Sequence, residues 1–255
     1  MKALKAIYLR ELRAYFLSPI FYVILVVFQV VTGFFYFLHV AGYMERSMMA
    51  ARNPMAMQVD LQTMLIGPVM LNMAFLMMII APILTMRLLA EEKKSGTLEL
   101  LLSYPVSDTM VVLGKFLAVW TVYALMILLS SSGLGLLFWL TEPHLPAMLT
   151  GYLGLMLVGA AFLSVGLLAS ALTENQIVAA TNTFPVLILF WVMGFASFVA
   201  PPATGKVLES LSTLTHLEKL NQGLIDTADL AFFVLFTAFF LFTAIRVLEA
   251  KRWKV

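Results

Sequence analysis

The chain contains no cysteine, so neither a disulfide nor a thiolate metal site contributes to its fold or chemistry. Charge is scarce: only 12% of its 255 residues are Asp, Glu, Lys or Arg, against roughly a quarter in an average soluble domain. The net charge of +2 gives no basis for binding nucleic acid. Catalytic signatures are missing too. No G-x-x-x-x-G-K-S/T segment occurs, so the chain has no P-loop with which to cradle ATP phosphates. Neither a G-x-S-x-G elbow nor an H-E-x-x-H helix is present, and His39, His144 and His216 all fall on one side of the apolar runs, away from any membrane-embedded Ser. No catalytic residue and no metal site is assigned, and the chain reads as a non-enzyme.

What it has in abundance is apolar surface, at 62% hydrophobic residues. Six runs are long enough to cross a hydrocarbon core of about 30 Å, which takes roughly 20 helical residues. They cover about 20–40, 65–89, 111–140, 149–172, 177–200 and 230–248. The fold class is therefore an all-α membrane protein. Before the first run, residues 1–18 form an amphipathic segment: Leu4, Ile7, Tyr8, Leu12 and Tyr15 gather on one helical face, with Lys2, Lys5, Arg10 and Arg13 on the other. Such a helix lies on a membrane surface among the lipids, and with Lys2, Lys5, Arg10 and Arg13 it is not a cleavable signal. Glu11 falls inside its apolar face. It is either a rim carboxylate that snorkels outward or the partner of a basic residue in the stretch from Glu91 to Lys115 or on a separate protein docked there. Residues 19–249 make one six-helix domain, and 250–255 are a basic tail.

Twelve of the 16 Lys and Arg residues lie on the side of the N-terminus, leaving Arg46, Arg52, Lys206 and Lys219 on the other. This bias puts both termini and the segment 91–107 in the cytoplasm. No Asp, Glu or Lys stands near the middle of a span, where ion-coupled carriers place the groups that bind their ion. The polar residues within spans are mild: Gln29, Asn72, Ser130 to Ser132 and Asn182. Each is either a helix-to-helix hydrogen bond or a contact along a substrate path. Pro82 and Pro185 would bend spans two and five, and Gly151, Gly154, Gly159 and Gly166 give span four a surface for close packing.

Two segments on the outer side exceed a turn. The first, 42–64, is rich in methionine: Met44, Met48, Met49, Met55, Met57 and Met64. Thioethers suit Cu(I), so a copper-handling reading stands beside that of a flexible apolar surface. Titration with Cu(I) separates the two. The second, 201–229, repeats leucine at every third position from Leu208 to Leu220, which suits a short element wedged into the bilayer edge. His216, Gly223, Asp226 and Asp229 could ligate a metal, but Gly223 and the Asp residues equally fit a helix C-cap and N-cap before span six.

The segment 91–107 carries the sharpest pattern. Glu91, Glu92, Lys93 and Lys94 end an apolar run, Ser95, Gly96 and Thr97 supply turn and N-cap chemistry, and Pro105 ends whatever helix follows. A short helix is expected from about Leu98 to Ser103, with Glu99 in its first turn and Leu98, Leu101 and Leu102 on one face. Ser107 and Asp108 then cap the next helix. The run E-E-x-x-x-G-T-L-E-L-L-L-S-x-P-V-S, with Gly114-Lys115 beyond it, resembles the coupling-helix segment of ABC-2 type transporter permeases, departing at Tyr104 and Asp108. The S-P-I-F-Y-V run from Ser18 and the T-H-L-E-K-L-N-Q-G-L-I-D-T-A-D-L run from Thr215 resemble the gliding-motility-associated branch of that family.

The resemblance implies the six-helix plan of type V exporters in a bacterial inner membrane. It implies that two permease chains, identical or sister, pair above two ABC ATPase subunits. ATP and Mg are then bound by the ATPase and not by this chain. Glu92, Gly96, Thr97, Leu98, Glu99, Leu101, Leu102 and Pro105 would make or shape the ATPase contact, with Arg10, Glu11 and Arg13 on the interfacial helix beside it. Gln29, Asn72 and Asn182 would face the substrate path. The function so implied is export driven by ATP. The alternative is a membrane scaffold that relays ATP-driven movement to a periplasmic or surface protein through 42–64 and 201–229. A channel or ion-coupled carrier is a third reading, marked by activity without any ATPase.

Overall fold

A computed structural model describes residues 2–52, 60–97, 106–135 and 145–252, all-helical with no strand among them. In chain order they form α1 (Lys2–Phe16), α2 (Pro19–Arg52), a π-helical segment (Gln62–Ile66), α3 (Gly67–Thr85), α4 (Arg87–Lys94) and α5 (Asp108–Gly135). Then come α6 (Leu145–Leu172), α7 (Gln176–Ser197), α8 (Pro202–Leu211), α9 (Thr213–Asn221) and α10 (Thr227–Arg252). Six stretches are long and apolar enough to cross a membrane: α2, the π segment with α3 and α4, α5, α6, α7 and α10.

Span four, α6, is the centre of the bundle. Of its most apolar window 72% is buried, against 17% for α2 and 17% for α10. It packs against α3, α7, α9 and α10, and its glycines make that density possible. A Cβ on Gly159 would stand 1.9 Å from the Tyr123 ring, and one on Gly166 2.0 Å from Thr85 Oγ1. The ring of Tyr123 lies where a side chain would have been, and its hydroxyl donates to the Leu155 carbonyl at 2.6 Å. Close packing without a lipid-exclusion driving force rests on such small residues and interhelical hydrogen bonds.

Local chemistry sets the ends. Ser107 caps α5, its carbonyl accepting from Met110 at 2.9 Å and its hydroxyl from the same N–H at 3.4 Å. Gly223, at φ 83°, closes α9, with Leu224 N–H donating to the Lys219 carbonyl at 3.2 Å. Asp226 Oδ1 accepts from Ala228 N–H at 3.0 Å and so caps α10.

Several boundaries differ from the sequence expectation. Helix α2 runs on to Arg52 instead of stopping at Val40. Residues 41–52 keep good helix formers, Ala, Met, Glu and Arg, with no breaker but Gly42, so the first half of the segment 42–64 is helix and not loop. Span two begins in the π segment at Gln62 and breaks at Met86, four residues past Pro82. Span five ends at Ser197, before Pro201. Helix α10 continues to Arg252, so the expected tail from 250 starts as helix. The leucine repeat is split: Ser212 caps α9 through Thr215 N–H at 3.2 Å, and Leu214, Leu217 and Leu220 are buried while Leu211 is exposed. Residues Leu98, Glu99, Leu101, Leu102 and Pro105 of the expected short helix lie outside the described residues, as do Met55, Met57, His144 and positions 136–140 of the third run.

Candidate functional site

Two long-range contacts build a polar cluster at the side of the bundle bearing the termini. Helix α1 crosses the start of α5, and Gly114 lets it approach: a Cβ there would lie 2.9 Å from Ile7 Cγ2. Tyr8 and Thr121 share a hydroxyl hydrogen bond at 3.1 Å, and Tyr15 donates to the Leu84 carbonyl at 2.6 Å. The Arg87 guanidinium lies 4.3 Å above the Tyr15 ring, a cation–π contact. Burial holds the Tyr15 phenol above its usual range.

The second anchor is Ser170 of α6, which is fully buried. Its hydroxyl donates to the Met86 carbonyl and accepts from the N–H groups of Leu89 and Ala90, all at 3.0 Å. The first turn of a helix has N–H groups without internal partners; here a hydroxyl from another span supplies the acceptor. Lys93 Nζ donates to the Ala171 carbonyl. Span four thus fixes α4, and α4 carries Glu92.

Between these anchors, Lys115 is 1% exposed, with Nζ 2.9 Å from Glu11 Oε1 and 3.0 Å from Glu92 Oε1. Arg10 reaches the same two carboxylates, at 2.7 Å from Glu11 and 2.5 Å from Glu92. Two cations and two anions balance, which is the condition for keeping such charges buried. Burial pushes the Glu11 carboxyl up, but Lys115 and Arg10 together outweigh it and hold it below the usual carboxylate range. For Arg10, burial is likewise outweighed by Glu11 and Glu92, which raise it. Glu92 Oε2 has no hydrogen-bond partner among the described residues. A cavity of about 430 Å³ opens beside the cluster, lined by Arg10, Glu11, Arg87, Glu91, Glu92, Thr97 and Lys115.

The cluster brings together residues that sequence reasoning had placed separately. Glu11 meets Lys115 and is not a carboxylate snorkelling into solvent. Arg10 and Glu92 join it, while Arg13 is exposed in the last turn of α1. Gly96, at φ 70°, ends α4, and Thr97 shares a 2.8 Å hydroxyl bond with Ser95. Lys115 was missed as a site residue, although two signals could have found it: a lone cation within an apolar run and a carboxylate on the apolar face of α1.

The residues considered for a substrate path have separate partners. Gln29 donates to the Met126 carbonyl at 2.9 Å and accepts from Ser130 at 3.0 Å, joining spans one and three. Asn72 meets His39 at 2.8 Å, and Asn182 is exposed on α7. At the opposite end, His216 Nε2 donates to the Ser210 carbonyl at 3.1 Å, Nδ1 lies 2.5 Å from Asp229 Oδ1, and the ring stacks on Phe232 at 4.1 Å. His216 and Asp229 thus tie α9 to α10. No group of three or more His, Asp or Glu residues that could hold a metal occurs among the described residues. Met44, Met48 and Met49 are exposed on the extension of α2.

A sequence model of the family described as "ABC-2 family transporter protein" matches residues 5–251. No curated protein matches the chain.

Proposed function

Because the chain belongs to the ABC-2 family of transporter proteins, we propose that it is the membrane-spanning permease subunit of an ATP-binding-cassette exporter. A separate ATPase subunit binds ATP and Mg and docks on the segment after α4 in the cytoplasm. Two permease chains pair in the inner membrane, and closure of the ATPases changes how the two halves pack, opening a path for substrate. The relay works by differential binding: ATP favours one arrangement of the docked segments, and the permease follows.

The observation that carries this reading is the cluster of Arg10, Glu11, Glu92 and Lys115. Glu92 stands just before the segment 98–105 and Lys115 just after it. Both ends of that segment are therefore ionically tied to each other and to α1. A push on the segment is delivered to spans two and three together, and Ser170 passes it to span four.

The test is a mild-detergent pull-down of the chain from its native membrane, with ATPase activity and transport assayed for wild type and Glu99→Arg. A P-loop ATPase should co-purify in equal amount. Glu99→Arg should leave the chain in the membrane while uncoupling ATP hydrolysis from transport. Unimpaired transport by the variant, or the absence of any ATPase from an intact preparation, would reject the reading.

A further inference from the structure

On the side of the bundle bearing the termini, another cavity, of about 280 Å³, is lined by residues of α1, α2, α3, α4 and α7. Its lining changes character at the level where α2 begins and α4 follows α3, the end of spans one and two, where hydrocarbon gives way to water. Ile20 and Ile83 make an apolar part and are 60% and 38% exposed on the outside of those spans. Arg87 and Glu91 bring a cation and an anion. An arginine near the end of a span reaches towards the interface, where lipid phosphates lie.

The two charges are not spent on one another. Arg87 and Glu91 are four residues apart on α4 and share a helix face, yet neither enters an ion pair among the described residues. With the cation N-terminal to the anion, theirs is the less favourable order for such a pair. The Arg87 guanidinium is instead held 4.3 Å over the Tyr15 ring. Arg87 and Glu91 border both this cavity and the one beside Lys115, but Tyr15 lines only this one, so the ring places the guanidinium here. Arg87 is partly exposed and Glu91 exposed, and a guest can reach both.

Charge and position specify the guest. A guanidinium fork matches the oxygens of a phosphate, but a phosphate alone would be repelled by Glu91. An amine alone would answer Glu91 and face Arg87. A group that carries both charges a few bonds apart answers both, and an apolar chain attached to its phosphate can lie along Ile20 and Ile83. We propose that this cavity holds the phosphoethanolamine head group of a phospholipid from the leaflet on the side of the termini, its phosphate on Arg87 and its ammonium on Glu91. A choline head has the same charges but no N–H to donate to the Glu91 carboxylate, and a glycerol head has no cation.

The experiment uses the full chain in dodecyl maltoside micelles, without ATPase, so a negative result leaves the permease reading standing. Dioleoyl phosphatidylethanolamine, dioleoyl phosphatidylcholine and dioleoyl phosphatidylglycerol are titrated separately into the micelles, and water-soluble phosphoethanolamine in a fourth arm; thermal unfolding is followed in all. Wild type should show a saturable rise in Tm with phosphatidylethanolamine, half complete at about tenfold less lipid than with the other two, the worth of one charge-assisted hydrogen bond. Glu91→Gln, on an exposed side chain outside any ion pair among the described residues, should unfold like wild type without lipid and lose that preference. Glu174→Gln removes the same charge from an exposed carboxylate that does not line the cavity and should keep it. Equal responses of wild type to the three lipids, or a preference that survives Glu91→Gln, would overturn the site and leave these lipids as ordinary solvent for the bundle. Loss of the preference in Glu174→Gln as well would reduce it to net charge and overturn the site too. A rise with phosphoethanolamine as large as with its lipid would put the ligand in water and reject the lipid.

Discussion

Lys115 Nζ and Glu11 Oε1 lie 2.9 Å apart across 104 positions of sequence. The contact joins α5, two turns in from its start, to the helix that precedes all the spans. Because Lys115 is almost wholly buried, its charge has no water to fall back on, and its two carboxylate partners become a condition of folding.

Lys115→Met should therefore destabilise the chain by about 3 kcal/mol or more, since it leaves two carboxylates facing one another with only Arg10 between them. Adding Glu11→Gln should recover part of that loss, with a coupling of about 1–3 kcal/mol in the double-mutant cycle. Chemical unfolding in detergent of the four proteins measures it, and strictly additive effects would deny the contact.

The cluster also predicts where acid acts. Glu11 is held below its usual range, so its contribution is complete above the unfolded value of about 4.3 and is lost as pH falls through the lower folded value. The stability gap between wild type and Glu11→Gln should be level from about pH 6 to about pH 8 and close below about pH 4. Thermal unfolding across this range checks it, and a gap that closes near neutrality would contradict the assignment.

Ser170→Ala should unseat α4. It strips the Met86 carbonyl of a donor and the Leu89 and Ala90 N–H groups of an acceptor, each worth about 1–3 kcal/mol when buried. Hydrogen exchange should rise at Leu89 and Ala90 with little change in α5. Unchanged protection there would show that α4 is held by its other contacts.

Gly159→Ala should be poorly tolerated, since its Cβ would fall 1.9 Å from the Tyr123 ring. Overpacking of this kind costs about 1–3 kcal/mol. Gly135→Ala, where the added carbon meets nothing within 4 Å among the described residues, is the control and should be close to neutral in the same unfolding assay.

The crossing helices were legible because hydropathy over 20 residues is a local property, and all six stand where the apolar runs stand. The glycines of α6 were legible as a packing surface for the same reason. What escaped was decided by contacts distant in sequence or by backbone choices without a periodic signature. The extension of α2 to Arg52 carries too little apolar periodicity to be seen as part of a span. The π segment at Gln62 differs from α-helix by one residue per turn, which composition does not encode. Glu11 and Lys115 were each anomalous in place, one on an apolar face and one in an apolar run; only the crossing of α1 over α5 shows that the two anomalies answer each other. Glu99 and its neighbours rest on sequence pattern alone.

The interlocked glycines of α6 have a mechanical corollary. A shaft gripped on several sides, with Tyr123 and Thr85 set into its surface like keys, cannot slide or turn within its own chain without breaking that grip. A close-packed core of this kind is stiff, and stiff bodies move by rolling against their neighbours. In the permease pair proposed above, the thinly buried flanks of α2, α7 and α10 would be the bearing surfaces, and substitutions there should alter the pace of movement while those along α6 alter whether the body holds together.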